Sequence, residues 1–145
     1  MARAALERGV QITLVPWLRL VLPLGSIVAA VKNEHQARSN TPGGRARFYA
    51  AREAEGVLAG FPDIIALMPG LLVLIETKRP IGGALSEAQS LLHPQLRAIG
   101  YAVILATSIE TARYGLIGLG VRLRETPGQL MLPPKVRDPY ARRSP

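Results

Sequence analysis

Two uninterrupted apolar runs, Ile64–Met68 and Leu71–Ile75, stand in the middle of the chain on either side of Pro69 and Gly70. Runs of leucine and β-branched residues that are bounded by Pro and Gly predict two strands joined by a tight turn. Neither run alternates apolar with polar residues, so we expect both faces of this hairpin to be buried. The hairpin is therefore predicted to form the centre of a sheet.

The register of the hairpin decides which polar side chains meet at its open end. If the turn lies midway between the two runs, pairing counted outward ends with Asp63 opposite Glu76. Directly opposed residues share a face, with Cβ atoms about 4.5–5.5 Å apart. Lys78 lies on the face of Glu76, because side chains alternate along a strand. Thr77 points to the other face and leaves its backbone carbonyl beside the two carboxylates.

Two carboxylates this close repel each other unless a cation lies between them. Hard oxygen ligands suit Mg²⁺, which binds one or two carboxylates and completes its shell with water and phosphate. The alternative is a salt bridge of Lys78 with Glu76 or Asp63 at a strand end, since structural ion pairs also bring such groups together. The presence of both acids and the lysine on one face favours the metal site.

The remaining patterns predict helices over about 3–15, 45–55, 86–99 and 107–119, and strands over about 26–31 and 101–106. Pro16 is expected to kink or end the first helix. Capping boxes are predicted at Ser86 with Gln89 and at Thr107 with Glu110. The order helix, strand, helix, strand, strand, helix, strand, helix predicts an α/β sandwich. Its central sheet is predicted to be mixed and four-stranded, with helices on its faces.

Two further expectations concern burial. The second helix has an apolar stripe, Phe48, Ala51 and Ala54, that is predicted to face inward. Its other side is basic, and either a solvated face or contact with phosphate would explain the arginines there, namely Arg45, Arg47 and Arg52. His93 is expected to be a surface histidine rather than a catalytic one.

Composition limits the class of protein. A chain of 145 residues with 48% hydrophobic residues is expected to form one folded domain, predicted over 1–120, followed by a basic, Pro-rich tail over 121–145. The chain has no cysteine, so disulfide frameworks and thiolate metal sites are excluded. A formal net charge of +8 favours a polyanionic partner, nucleic acid before membrane.

The apolar stretch over 12–31 raises the question of a membrane segment. Pro16, Arg19 and Pro23 interrupt it, which argues against a transmembrane helix. In a secretion signal, Glu7 would fall in the positively charged first region and Arg19 in the apolar region. Both charges argue against secretion. We therefore expect no membrane association and a cytoplasmic location.

The motifs together resemble the VRR-NUC family of the PD-(D/E)xK nuclease superfamily, in particular its small stand-alone phage and bacterial members. The resemblance covers about residues 3–119 and is carried by four segments, Glu55–Asp63, Ile75–Pro80, Gly82–Gln89 and Gly100–Val103. Pro-Asp followed by Glu-x-Lys is a weak motif alone. In this order and spacing, with the Gly-Gly-x-Leu-Ser-x-x-Gln and Gly-Tyr elements, it is fairly specific.

The resemblance implies a restriction-endonuclease-like fold and a Mg²⁺- or Mn²⁺-dependent endonuclease. It implies branched or junction DNA, such as a Holliday junction, as the substrate, a homodimer as the acting form, and the cytoplasm of a bacterial or phage-infected cell as the location. The catalytic residues would be Asp63, Glu76, Lys78 and Gln89. The metal ligands would be Glu7, Asp63, Glu76 and Thr77. Contacts to nucleic acid would come from Asn33, Arg38, Arg45, Arg47, Arg52 and Arg79.

Several alternatives stay open on the sequence. Capping alone would explain Gln89, and Glu7 would also suit a solvated helix surface. Lys78 could take a proton from water, orient the water or neutralise charge on the phosphate, at a site with one metal ion or two. The whole chain could instead be a nucleic-acid-binding module with a vestigial site, or a structural domain in which Asp63, Glu76 and Lys78 form an ion-pair network. Metal-dependent cleavage and stabilisation by Mg²⁺ distinguish these alternatives.

Overall fold

The computed structural model describes residues 2–32 and 41–125, with side chains from residue 7 onward. The elements are α1 (Ala2–Val21), β1 (Ile27–Ala30), α2 (Pro42–Ala54), β2 (Ile64–Met68), β3 (Leu71–Thr77), α3 (Glu87–Ala98), β4 (Ala102–Ala106) and α4 (Ile109–Gly118). Their order is the one that the hydrophobic pattern predicts.

The four strands form one sheet in the order β1-β2-β3-β4. The first three are antiparallel neighbours, and β4 runs parallel to β3. A parallel neighbour requires a crossover connection, which α3 provides. In the central hairpin, Met68 pairs with Leu71 and Ile64 pairs with Ile75, so the predicted register is confirmed. The prediction of an α/β sandwich with a mixed, four-stranded sheet is likewise confirmed.

The main core lies between one face of the sheet and the helices α1 and α4, and a smaller cluster lies under α3 on the other face. Leu14 and Leu18 of α1 are fully buried. Because these residues pack into the core, α1 continues through Pro16 to Val21. Proline cannot donate to the carbonyl of Ile12, four residues earlier. Ile12 is exposed, and water can serve that carbonyl.

Burial on both faces of the hairpin is confirmed for β3 but is wrong for β2. Val73–Thr77, the last five residues of β3, are buried throughout, whereas Leu67 of β2 is 40% exposed. The apolar contacts of α3 centre on β3 and β4, since Leu96 clusters with Leu74 and Val103. The outer part of the same face, over β2 and β1, is left less covered.

The prediction of an inward apolar stripe on α2 is wrong. No residue of this helix is buried. Phe48 instead contacts Tyr49 edge to face, with ring centroids 5.4 Å apart, and the guanidinium of Arg52 lies 5.6 Å from the Phe48 centroid. The helix begins at Pro42, earlier than predicted, because Thr41 caps it by accepting a hydrogen bond from the Gly44 amide.

The other helix starts follow capping rules. Ser86 and Gln89 form the predicted box at α3, with each side chain accepting from a backbone amide of the other residue. At α4 the cap lies one residue later than predicted, at Ser108, and Thr111 occupies the position expected for Glu110. The threonine hydroxyl accepts the backbone bond that a glutamate would accept.

The described part of the predicted tail contacts the domain. The Arg124 amide donates to the Val21 carbonyl at 2.6 Å, and Val121 is 8% exposed in the main core. Residues 126–145 lie outside the described ranges, so the prediction of a tail that contacts DNA stays a prediction. Within residues 2–32 and 41–125, no helix is long and apolar enough to span a membrane.

Candidate active site

Asp63 stands at the open end of the hairpin, one residue before β2. Its Oδ2 accepts hydrogen bonds from the Thr77 amide at 2.9 Å and from the Thr77 hydroxyl at 2.6 Å. Its backbone carbonyl accepts from the Val31 amide at 2.7 Å. The carboxylate therefore ties β2 to the end of β3, while the main chain of the same residue continues the pairing with the β1 side. The sequence predicted the Thr77 carbonyl at this point and missed its hydroxyl.

Glu76 is the buried acid of the site, with 1% of the residue exposed. Its Oε1 lies 2.9 Å from Lys78 Nζ and accepts a hydrogen bond from Gln89 Nε2 at 2.5 Å. Its Oε2 is buried and has no hydrogen-bond partner among the described residues. One oxygen of this carboxylate thus has two donors, and the other has none.

Burial, the largest cause, and the neighbouring Asp63 carboxylate together raise the pKa of the Glu76 carboxyl to about 7. The hydrogen bond from Lys78 opposes this rise, and the more distant Glu7 adds to it. A buried carboxylate beside a second acid is stabilised in its charged form by a cation. The electrostatics therefore favour a positive ion at this end of the hairpin.

Gln89 serves both of the roles that the sequence left open. Its Oε1 accepts from the Ser86 amide and completes the cap of α3, while its Nε2 donates to Glu76. A primary amide has an acceptor and donors on separate atoms, so one side chain can do both. The cap fixes the rotamer that presents the donor to the carboxylate.

The site opens into a cavity of about 670 Å³ between α1 and the ends of the strands. Six predicted site residues line it, namely Glu7, Asp63, Glu76, Thr77, Lys78 and Gln89. Arg45, Arg47 and Arg52 lie on α2 and do not line the cavity. Arg79 also lies outside its lining and donates to the Gly82 carbonyl at 2.6 Å. Asn33 and Arg38 fall outside the described residues.

The donor set fits a small divalent cation. In the described part of the chain, no group of three or more acidic or histidine side chains is close enough to bind a metal ion, so Glu7 does not join Asp63 and Glu76 in such a group. Two carboxylates are sufficient for Mg²⁺, which keeps several water ligands. The buried Oε2 of Glu76, which has no hydrogen-bond partner among the described residues, is the observation that best fits a bound cation.

His93 is a residue of this region that sequence reasoning placed wrongly. It was expected at the surface, yet none of it is exposed, and its Nε2 lies 3.1 Å from the Gly60 carbonyl oxygen. It follows Gln89 by four residues, so the two side chains share one face of α3. The four-residue spacing from Gln89, which already had a candidate role, was the feature of the sequence that could have placed His93 near the site. The segment around Gly60 meets α3 at this point, and the imidazole lies against its carbonyl.

The fold and the site define a class: an α/β sandwich with two acids and a lysine at the open end of its central hairpin. Comparison with known protein families finds no family model that matches the chain. Comparison with curated proteins finds no matching relative either. The resemblance to the VRR-NUC family therefore remains a prediction that rests on its motifs.

Proposed function

We propose that the protein is a Mg²⁺-dependent nuclease that hydrolyses phosphodiester bonds of branched or junction DNA. The observation that carries the proposal is the convergence of Asp63, Glu76 and Lys78 on one cavity, where Glu76 has a buried oxygen without a partner. The order and spacing of the motifs that resemble the VRR-NUC family support the same activity.

The metal ion would be held by Asp63, Glu76 and the Thr77 carbonyl, with Glu7 on the cavity wall. When bound, it supplies polarisation of the phosphate and acidifies a coordinated water. Hydrogen bonds from neighbouring residues orient the two carboxylates. Thr77 fixes Asp63 through two hydrogen bonds, and Gln89 fixes Glu76.

Lys78 is held at the same point by Glu76, and its side chain is 8% exposed. A lysine so placed can orient the attacking water, take its proton or neutralise the charge that develops on the phosphate. In each of these roles the ammonium or amine must lie beside the scissile group. The pairing with Glu76 at the edge of the cavity supports such a placement.

The basic excess supports a nucleic-acid substrate. Arg45 and Arg47 are exposed on α2, a helix without buried residues, so their guanidinium groups are available to phosphates. Neutralisation of phosphates by such residues releases counterions and makes binding sensitive to salt. We infer that α2 contributes affinity for the DNA backbone, while the cavity performs the chemistry.

The deciding experiment is single-turnover cleavage of a labelled branched duplex and of its linear counterpart, with Mg²⁺, alongside binding of both in Ca²⁺. Lys78→Ala and Asp63→Asn are expected to keep DNA affinity and to lose about 10²-fold or more in rate. Lys78→Arg is not expected to restore the rate, because a guanidinium does not deprotonate and directs its donors differently.

Arg122→Ala is the matched control, because it removes the same charge from an exposed residue outside the cavity lining. It is expected to cleave like the wild type. Wild-type rates in both Lys78→Ala and Asp63→Asn would reject the assigned site. A wild-type protein that binds DNA but cleaves no DNA or RNA offered would instead support a binding module with a vestigial site.

A further inference from the structure

His93 lies behind the two acids rather than in the cavity. No part of the residue is exposed, and it is not among the residues that line the cavity. Its Nε2 is 3.1 Å from the Gly60 carbonyl oxygen and 4.0 Å from Glu76 Oε2. A residue so enclosed cannot contact a substrate, so any part it takes in the reaction must act through these neighbours.

Gly60 belongs to the short segment that leads into Asp63. Its φ is +80°, a conformation that side chains other than glycine rarely adopt. A Cβ at this position would lie 2.6–2.7 Å from backbone atoms of Ala88 and Gln89. The segment before β2 is thus pressed against the first turn of α3, and its carbonyl meets His93 one turn further along the helix.

One face of α3 therefore secures both acids. Gln89 donates to Glu76 Oε1, at the end of β3. His93, four residues later, contacts the carbonyl of Gly60, three residues before Asp63. The hairpin register and the Thr77 hydrogen bonds bring the two acids together, and these two side chains of α3 add a second constraint on their separation.

The imidazole supplies this contact through Nε2. Burial lowers the pKa of His93, which disfavours the charged ring. A neutral ring whose Nε2 carries the proton donates to the Gly60 carbonyl. An apolar side chain of similar size would fill the space but leave that carbonyl without this donor.

We propose that His93 is a positioning residue, which holds the Gly60 segment against α3 and, together with the Thr77 contacts, maintains the separation of Asp63 and Glu76 for the metal ion. The inference rests on the proposed nuclease function and adds a residue to it. The competing explanation is a histidine that only stabilises α3. The two differ in one respect, because only a positioning residue affects metal affinity beyond its effect on stability.

The test compares His93→Leu, His93→Gln and Leu96→Ala with the wild type. Mg²⁺ affinity is measured by calorimetry, the cleavage rate as a function of Mg²⁺ concentration, and stability by thermal unfolding in EDTA. Leu96, on the same helix, is 8% exposed in the smaller core cluster and does not line the cavity, so its truncation is the matched destabilising control.

His93→Leu is expected to weaken Mg²⁺ binding by about 10–100-fold, the usual effect of removing an outer-sphere partner. High Mg²⁺ should then recover much of its cleavage rate. His93→Gln is expected to restore most of the affinity, because its amide nitrogen can reach the Gly60 carbonyl. Leu96→Ala is expected to lower the melting temperature and to leave Mg²⁺ affinity within about twofold.

Equal Mg²⁺ affinity in His93→Leu and the wild type would overturn the inference. So would an equal loss in Leu96→Ala at a similar melting temperature, or a His93→Gln variant no better than His93→Leu. If His93→Leu does not fold, His93→Asn replaces it, since its shorter amide falls short of the carbonyl and should weaken binding in the same direction. A wild-type protein that neither binds Mg²⁺ nor cleaves DNA would defeat the proposed function itself.

Discussion

Among the described residues, two ion pairs share a nitrogen-to-oxygen distance of 2.9 Å and have opposite electrostatics. Lys78 meets Glu76 at the open end of the hairpin, and Arg113 of α4 meets Glu125 beside α1. Burial raises the pKa of Glu76 to about 7. The hydrogen bonds from Arg113 lower the pKa of Glu125. The surroundings of Glu76 therefore disfavour its charged form, whereas those of Glu125 favour its charged form.

The difference lies in how far each carboxylate is satisfied. Both oxygens of Glu125 accept from Arg113, and one also accepts from the Trp17 indole. Its side chain is 18% exposed, so water reaches it as well. Glu76 is 1% exposed and has an oxygen without a hydrogen bond among the described residues. The attraction within a buried ion pair offsets the cost of desolvation only when the geometry is good and the hydrogen bonding is complete.

This contrast bears on the structural alternative for the site. An ion-pair network that exists for stability should look like the Arg113–Glu125 pair, with every acceptor satisfied. The Lys78–Glu76 pair has an orphaned oxygen and a second acid, Asp63, beside it. Groups in such surroundings are characteristic of functional sites.

The largest expected effect is on cleavage. Glu76→Gln should reduce the single-turnover rate by about 10²-fold or more, because it removes a charged metal ligand. Glu125→Gln, the same chemical change at the satisfied pair, should stay within about twofold of the wild type. Equal losses in the two variants would show that the contrast between the pairs has no bearing on catalysis.

The next effect is the pH dependence of stability in metal-free protein. Between about pH 4.5 and 7, folded Glu76 keeps a proton that the unfolded chain has lost, so the free energy of unfolding falls as pH rises. The loss is on the order of 3 kcal/mol and is complete above about pH 7. Glu76→Gln should lack it, as urea denaturation in EDTA across this range would show.

Glu125 should behave in the opposite way. Its lowered pKa contributes stability that is present above the unfolded value of 4.5 and is lost as pH falls through the folded pKa. The difference between wild type and Glu125→Gln should therefore shrink only in the acid range. A difference that shrinks between pH 5 and 7 instead would contradict the assignment.

The smallest effect is on stability at neutral pH. Glu125→Gln should destabilise the protein by about 1–2 kcal/mol, since it weakens charge-assisted hydrogen bonds from Arg113 and Trp17. The fluorescence of Trp17, the single tryptophan of the chain, reports unfolding and this local contact together. An unchanged midpoint in urea would mean that the pair does not hold the segment after α4 to the domain.

The sequence by itself determined the hairpin, its register and the acids at its open end. Pro69 and Gly70 place the turn, and the two apolar runs leave one pairing that opposes Asp63 to Glu76. The cap of α3 is equally local, because Ser86 and Gln89 satisfy backbone groups within four residues. Each of these depends on neighbours in the chain or across one turn, which a pattern of residues can express.

Tertiary structure decided the burial of His93, the exposure of α2 and the opposite pKa shifts of Glu76 and Glu125. The imidazole is enclosed because α3 meets the segment around Gly60, 33 residues earlier in the chain. No residue of α2 is buried, because its apolar side chains can be covered only by another element that packs over them. A carboxyl's pKa depends on which distant groups surround it and how much water they exclude. Only the packed chain brings those groups together.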